Sequence, residues 1–206
     1  MPKKPDRRIR KTKSQLRAGL SKLMQHKSIK EITVKELVEE VDINRSTFYK
    51  YYTDKYDLLD RYLNKVLLEF KQQVNVDFVV TNPSITDDEY YQIPFRNFTA
   101  FVYSKRTEYL ILWKASIERQ PYNEMTDLVY RQILEKLLTE SPELSEKRTY
   151  CELYAHLFSS NMMALIRWWL TNEDTVSIEE VQKIMHENMK KGLFYTFRHS
   201  IRDSIQ

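Results

Sequence analysis

Residues 33–55 read TVKELVEEVDINRSTFYKYYTDK, and this stretch decides the fold. It opens with a capping-box pattern: Thr33 is followed three residues later by Glu36, as is typical of the first turn of a helix. A short helix with a valine- and leucine-rich face follows, and residues 42–43 form a brief turn. Asn44 is a favourable N-cap for a second short helix. Two short helices joined by about three residues are typical of a helix-turn-helix.

The second of these helices carries mostly hydrogen-bonding side chains. Only Phe48 and Tyr52, four residues apart, have the spacing of core contacts. A helix this short gains little stability by itself, so its polar side needs another explanation. Contacts to base edges and phosphates in the major groove of DNA provide one. A solvated polar helix in an ordinary helical bundle is the alternative interpretation.

The residue types indicate which part of DNA each side chain contacts. Arg45 suits a bidentate contact with guanine, and Thr47 suits the methyl group of thymine. Lys55 begins the next helix, where free N–H groups and the helix dipole attract phosphate. Four more phosphate contacts are expected, from Thr33, Lys35, Tyr49 and Lys50. The complete set of predicted DNA-binding residues is Thr33, Lys35, Asn44, Arg45, Ser46, Thr47, Tyr49, Lys50, Tyr51 and Lys55.

Charge is distributed unevenly along the 206 residues. Residues 1–56 carry 15 Lys and Arg against 7 Asp and Glu, whereas residues 57–206 carry 18 against 22. A concentrated basic end on a mildly acidic chain indicates a polyanionic partner, although a solvated basic tail has the same composition. We therefore predict a DNA-binding domain at 1–56 and a second domain at 57–206.

Helical spacing continues through the rest of the chain, which predicts an all-α protein. Residues 76–80 have the composition of a short strand, but one strand would have no partner. Residues 93–94, Ile-Pro, are expected to interrupt the helical pattern. Helices are predicted at 5–26, after Thr53 and Asp54, and at about 95–103, 105–118, 122–140, 146–171 and 177–199, the last opened by Ser177 with Glu180 three residues on.

Composition excludes several function classes. Two glycines are too few for a Gly-rich phosphate-binding loop. The single cysteine, Cys151, excludes an intramolecular disulfide and a multi-Cys zinc site, and it fits the reducing cytoplasm. The four histidines match no metal-binding motif, and no catalytic arrangement is evident. No secretory signal or 18-residue apolar run is present either, so we expect a cytoplasmic protein that is not an enzyme, binds no metal or cofactor and does not enter a membrane.

Within the opening stretch, the pattern Thr33-Val34-x-x-Leu37 followed by Ser46-Thr47-Phe48-Tyr49-x-Tyr51-Tyr52-x-x-Lys55-x-x-Leu58 resembles the DNA-binding domain of TetR-family transcriptional regulators. The resemblance covers about residues 8–60. The chain departs from the pattern at Val41-Asp42, where Ala-Gly is usual, and at Asp54, where Ser or Asn is frequent. Asp42 tolerates the left-handed conformation that such a turn needs. The resemblance implies a sequence-specific transcriptional regulator, most often a repressor.

The resemblance also implies an N-terminal three-helix helix-turn-helix domain and a C-terminal helical domain for regulation and dimerisation. Family members are homodimers in which the last two helices form a four-helix bundle, which here are about 146–171 and 177–199. Packing of these helices within one chain is the alternative. A two-fold dimer predicts a palindromic double-stranded operator, with recognition helices about 34–36 Å apart.

Effector control is a further implication, and the aromatic-rich C-terminal half suits an apolar or cationic ligand. The candidate pocket residues are Trp113, Tyr154, Phe158 and Asn161, for which ordinary core packing is the alternative. The tail from Phe158 to Leu170 is similar to a DhaS-type subgroup, which works with a protein co-regulator. An activator or co-regulated factor controlled by a protein partner is therefore the second hypothesis. The third is a helical enzyme or scaffold with a basic end for membranes or RNA.

Overall fold

The computed structural model describes residues 7–80, 88–115, 117–140 and 148–192. These residues form α-helices joined by short links and one 3-10 turn, Asp77–Val80, and they contain no β-strand, which confirms the all-α prediction. The described helices are α1 (Arg7–Met24), α2 (Val34–Glu40), α3 (Arg45–Tyr49), α4 (Lys55–Gln73), α5 (Asp88–Ser104), α6 (Arg106–Lys114), α7 (Pro121–Glu140), α8 (Arg148–Leu170) and α9 (Ile178–Lys191).

The chain divides into two compact units. The first comprises Met1–Glu69 and Thr107–Tyr122, and the second comprises Phe70–Arg106 and Asn123–Gln206, as far as the described residues extend. Helix α4 carries the chain from the first unit into the second. The domain boundary predicted after residue 56 falls within the first unit, near the start of α4, and it stays a prediction about function.

The core of the first unit joins α1 to the helix-turn-helix. Leu20, Leu37 and Phe48, from α1, α2 and α3, are completely buried. Gly19 lets α1 and α2 approach closely, because a Cβ at this position would lie 2.4 Å from Val41 Cγ1. A glycine in the middle of a helix costs stability relative to alanine, so this one is explained by the contact it permits.

Helix α6 and the link after it also belong to the first unit, where they contact α4. Tyr62 Oη donates to Glu108 Oε1 at 2.6 Å. Burial and the neighbouring Glu108 carboxylate raise the pKa of Tyr62 above its usual range, so the phenol stays protonated as the donor. Arg119 donates to Asp60 Oδ1 at 2.5 Å and to Asn64 Oδ1 at 2.8 Å. A segment distant in sequence is thereby fixed to the helix that follows the helix-turn-helix.

In the second unit, α9 packs its apolar face against α5. Val181 and Met185 of α9 are buried, and Gln182 Nε2 donates to Thr99 Oγ1 of α5 at 2.7 Å. The predicted capping box at Ser177 and Glu180 is present and begins α9. Helices that span a membrane need a longer and more apolar stretch than any helix in the described part of the chain has.

One local prediction in this half was wrong. Pro94 does not interrupt the helix but lies inside α5. A proline removes one backbone donor, and the neighbouring Phe95 and Phe98 are buried, so core packing maintains the helix around it. Residues Asp77–Val80 form a 3-10 turn, so the strand-like composition of 76–80 does not produce a strand, as the lack of a partner strand predicted. The end of the last predicted helix, residues 193–199, lies outside the described residues.

Candidate nucleic-acid interface

The helix-turn-helix forms as its local sequence predicts. Thr33 Oγ1 accepts from Glu36 N at 3.1 Å, while the Glu36 carboxylate accepts from Thr33 N at 2.8 Å, so the capping box at the start of α2 is complete. Helix α2 ends at Glu40 with Val41 as its C-cap, and Asp42 takes the left-handed conformation, with φ of 52°. The turn thus keeps its geometry without glycine because aspartate tolerates this region.

Recognition helix α3 is anchored by two aromatic side chains. Phe48 is completely buried and Tyr52 is 3% exposed, with ring centroids 5.8 Å apart. The prediction that these two side chains face the core is therefore confirmed. Asn44 is the N-cap residue of α3, as predicted, but its side chain makes no capping hydrogen bond.

Most of the remaining α3 side chains point to solvent. Thr47 and Tyr51 are half-buried at the edge of this surface. The exposed predicted contacts on and beside α3 are Asn44, Arg45, Ser46, Tyr49 and Lys50. Donors, acceptors and two cations thus share one exposed surface, which is the composition needed to contact base edges and phosphates.

The two predicted phosphate contacts near α2 differ in their surroundings. Lys35 is exposed and lies 3.9 Å from the Glu39 carboxylate, a distance at which an ion pair on the surface is weak. The Thr33 hydroxyl is exposed too, but it serves the capping box. Lys35 is thus available for a phosphate, whereas Thr33 has a structural role in starting α2.

Lys55 has partners that the sequence did not indicate. Its Nζ donates to the backbone carbonyls of Lys30, at 2.8 Å, and Ile32, at 2.6 Å. These carbonyls lie in the α1–α2 turn, so Lys55 fastens that turn to the start of α4. An ammonium group has three N–H donors, and one is left for another acceptor.

The prediction of free N–H groups at the start of α4 was wrong. Asp54 Oδ1 accepts from Tyr56 N at 2.8 Å and from Asp57 N at 2.9 Å. Thr53 N in turn donates to Asp57 Oδ2 at 3.0 Å. These carboxylates satisfy two of the first backbone donors of α4 and add negative charge, so the Lys55 ammonium is the better group for a phosphate there.

The four candidate effector-pocket residues belong to both units of the chain. Trp113 belongs to the first unit, where it stacks on Tyr109 with ring centroids 5.6 Å apart. Tyr154, Phe158 and Asn161 lie on α8 in the second unit. Tyr154 is 64% exposed, and Asn161 is exposed as well, so its amide is solvated and does not need the buried hydrogen-bond partner that the sequence suggested.

A cavity of about 510 Å³ occurs in the first unit and involves none of those four residues. Its lining combines apolar side chains with both positively and negatively charged ones. The lining residues are Ile29, Lys30, Tyr56, Leu59, Asp60, Leu63, Ile117, Glu118 and Arg119. Among the described residues, no three His, Cys, Asp or Glu side chains are grouped so that they could hold a metal ion.

The fold and this exposed polar surface define a helix-turn-helix DNA-binding regulator. A profile of "Bacterial regulatory proteins, tetR family" matches residues 16–62, and one described as "Transcriptional regulator C-terminal region" matches residues 89–191. The chain belongs to the TetR family of transcriptional regulators, whose members are generally DNA-binding proteins and not enzymes.

The fold is shared with a regulator of known structure. The structure of the "Dihydroxyacetone kinase operon activator DhaS" has 15% sequence identity and a TM-score of 0.54, over 90% of this chain and 96% of that chain. This likeness shows a common fold. A comparison with curated protein sequences found no match.

Proposed function

We propose that the chain is a cytoplasmic, non-enzymatic repressor that binds a palindromic operator as a homodimer and is released by an effector at its C-terminal domain. Residues 1–56 bind DNA in this proposal, and residues 57–206 provide regulation and dimerisation. The observation that carries it is the surface of α3, which two buried aromatic residues fix in place with its polar side chains exposed. Such a helix adds little to the core and is suited to the major groove.

The DNA contacts divide by function, and the division is testable. Arg45 reads a base in this proposal, whereas Lys50 contacts the phosphate backbone. Footprinting on DNA that flanks the coding region would locate the operator as a two-fold protected site. Arg45→Ala should then cost about 1–3 kcal/mol and relax the preference at one base pair of each half-site. Lys50→Ala should instead weaken binding to operator and unrelated duplexes alike. Equal effects of both variants on base preference would contradict these assignments.

Dimerisation through α8 and α9 is supported by one exposed apolar face on α8. Leu153 is 51% exposed, Leu157 58% and Trp168 49%, although their helix has a separate buried face. Residues spaced three and four apart form a continuous stripe suited to a partner helix. The stripe, with Asn161 as its polar member, is Tyr150, Leu153, Tyr154, Leu157, Asn161, Ala164 and Trp168.

The proposed dimer face does not include every apolar or small residue of the two helices. Ala155, Ser159 and Met162 of α8 are buried in their own chain. Val181 and Met185 of α9 are buried in the same way. Leu157→Arg should therefore shift the chain toward monomer in sedimentation velocity and lower operator affinity, whereas Leu68→Arg, at a similarly exposed leucine of α4, should leave it dimeric. A dimer that is unaffected by Leu157→Arg would place the interface elsewhere.

The effector is a small molecule or a protein, and the four predicted pocket residues do not favour the small molecule. Tyr154 and Asn161 are exposed in the single chain, on the α8 face that the proposed dimer covers, so they are not enclosed as a ligand pocket within one chain requires. An activator or co-regulated factor under the control of a protein partner is accordingly the second candidate. Capture of a specific non-DNA partner by the dimeric wild-type chain, with a matching change in operator affinity, would support it. Co-purification of a small molecule would favour the first candidate.

Helix α4 is the proposed route of regulation, because it connects the DNA-contacting part of the chain to the C-terminal half. In this mechanism the dimer has two conformations that differ in the position of α4, and the effector binds one of them more tightly. Effector binding then changes the separation of the recognition helices and so the operator affinity. A ligand or partner that binds the C-terminal half and leaves operator affinity unchanged would contradict this mechanism.

A further inference from the structure

One edge of α1 is lined by three cationic side chains. Arg10, Lys13 and Arg17 are spaced three and four residues apart, so they lie along the same side of the helix. Arg10 is exposed, and the other two are half-buried where α1 meets its neighbours. We call these three residues the α1 edge. None of them is among the DNA contacts assigned above.

The α1 edge lies against the segment that follows the recognition helix. Lys13 Nζ is 5.6 Å from the centroid of the Tyr51 ring, and Lys50 Nζ is 6.0 Å from the same centroid. Tyr51 comes two residues after the end of α3, so one aromatic ring gathers ammonium groups from two elements. The α1 edge is therefore continuous with the exposed surface of α3.

Further along the same edge, Arg17 acts on the next tyrosine. Burial raises the pKa of Tyr52, and the positive charges of Arg17 and Arg61 oppose that rise. Arg61 lies over the Tyr52 ring, 5.6 Å from its centroid. Cations thus accompany both tyrosines that follow α3, one of which anchors the recognition helix.

The ion pairs of the first unit show that Lys13 is not balanced by a carboxylate as other cations are, including Arg61, which pairs with Asp57 at 2.7 Å. Lys22 pairs with Glu40 at 2.6 Å, and Lys27 pairs with Glu36 at 2.5 Å. Among the described residues, by contrast, Lys13 has no carboxylate within ion-pair distance. Gathering like charges beside one ring is unfavourable unless an external anion compensates them. A polyanion bound along this edge would supply that compensation.

We propose that the α1 edge is a second DNA-binding surface, which contacts the phosphodiester backbone of the duplex flanking the bases that α3 reads. Lys13 is its central contact, and the Tyr51 ring has the ammonium groups of both Lys13 and Lys50 within 6.0 Å of its centroid. The inference rests on the proposed function, because the register on DNA is set by α3. It adds a contact that contributes affinity but no base preference, since phosphates are the same at every position.

The test compares Lys13→Gln with Lys22→Gln, which removes the same charge from the opposite flank of α1. Affinity for the operator duplex would be measured by fluorescence anisotropy between 50 and 200 mM KCl, on a long duplex and on one trimmed to the half-sites. Each lost phosphate contact reduces the slope of log K against log salt by about 0.9. Lys13→Gln should therefore reduce the slope by about 1.8 for a dimer, without changing preference among operator variants.

Three further results define the outcome. The wild type should bind the trimmed duplex more weakly than the long one. Lys13→Gln should bind both duplexes with nearly the same affinity, because it lacks the flanking contact. Lys13→Arg should behave like the wild type because it keeps the positive charge. An unchanged salt slope for Lys13→Gln, or an equal loss for Lys22→Gln, would overturn the inference. In either case operator preference in the wild type would still support the proposed function, whereas a wild type without any preference would contradict that function itself.

Discussion

Replacement of Lys55 by Gln separates a structural role from a DNA-binding role in one side chain. The Lys55 ammonium joins the start of α4 to two carbonyls of the α1–α2 turn, Lys30 O and Ile32 O. A glutamine side chain is shorter and neutral, so it cannot reach both carbonyls with the same geometry. The variant should therefore loosen the turn and also remove one positive charge from the proposed DNA surface.

The structural part of the effect can be worked out from these two contacts. A hydrogen bond from a charged donor contributes about 1.5–3 kcal/mol. Lys55 is half-buried, and water can replace the ammonium at both carbonyls, so we expect a loss of about 1–3 kcal/mol for the pair. The DNA-binding part should reduce the salt slope of operator binding by about 0.9 per protomer.

Two measurements distinguish these parts. Amide hydrogen exchange should become faster at residues 29–33 in Lys55→Gln, because the turn has lost its fastening. Anisotropy across a salt series should give the reduced slope. The matched control is Lys65→Gln, on the same helix and with the same change of charge, since Lys65 pairs with Glu69 and not with a backbone carbonyl. Exchange at 29–33 equal to the wild type would refute the structural argument, and an unchanged slope would remove Lys55 from the DNA contacts.

Two other perturbations follow from the first unit. Gly19→Ala places a Cβ 2.4 Å from Val41 Cγ1, and overpacking of about 1–3 kcal/mol should exceed the gain of about 1 kcal/mol in helix propensity. Urea unfolding should thus show a net loss that Val41→Ala relieves in the double variant; additive losses would contradict the contact. Lys27 and the capping bonds to Thr33 hold the pKa of Glu36 at about 2, below its ordinary 4.5. This stabilisation is present above pH 4.5 and is lost as pH falls toward 2. The stability difference between wild type and Glu36→Gln should therefore shrink over that range, and a constant difference would show that Glu36 is not linked to folding.

Features that depend on neighbours in sequence were predicted well. The capping boxes at Thr33 and Ser177 need only a side chain and a backbone group three residues apart, so the sequence contains the whole interaction. The same holds for Phe48 and Tyr52, whose four-residue spacing marks one face of a short segment. The DNA contacts on α3 depend on these local features, and they stay predictions until a complex is examined.

Features that depend on distant neighbours were predicted poorly. The carbonyl partners of Lys55 lie more than 20 residues away in sequence, and no local pattern indicates them. Helix α8 shows the same difficulty on a larger scale, because apolar residues occur all round it. Ala155 and Leu157 are equally compatible with a core or an interface in sequence, and only the packing of the other helices buries one and exposes the other.

Gly19 illustrates a signal that was available but not interpreted. A lone glycine inside a strongly helical segment has a cost in stability, and such a residue usually marks a close approach of another element. Its partner, Val41, lies at the departure from the family pattern, where Val-Asp replaces Ala-Gly. The larger Val41 is accommodated because Gly19 opposite has no side chain. The glycine within α1 and the valine at the α2 turn are therefore explained by the same contact.

Helix α1 determines how the DNA-binding surface is oriented, because it contacts the helix-turn-helix on two sides. On one flank, Gly19 sets the distance to α2 through Val41. On the other flank, Lys13 lies over the Tyr51 ring that follows α3. A rotation of α1 would therefore move both helices of the motif together. Because Lys13 of α1 contacts the Tyr51 ring, the same rotation would also move the positive charge of Lys13 relative to α3. A substitution at Gly19 that displaces α1 should therefore change operator affinity, although Gly19 is buried and faces neither DNA nor a base-reading residue.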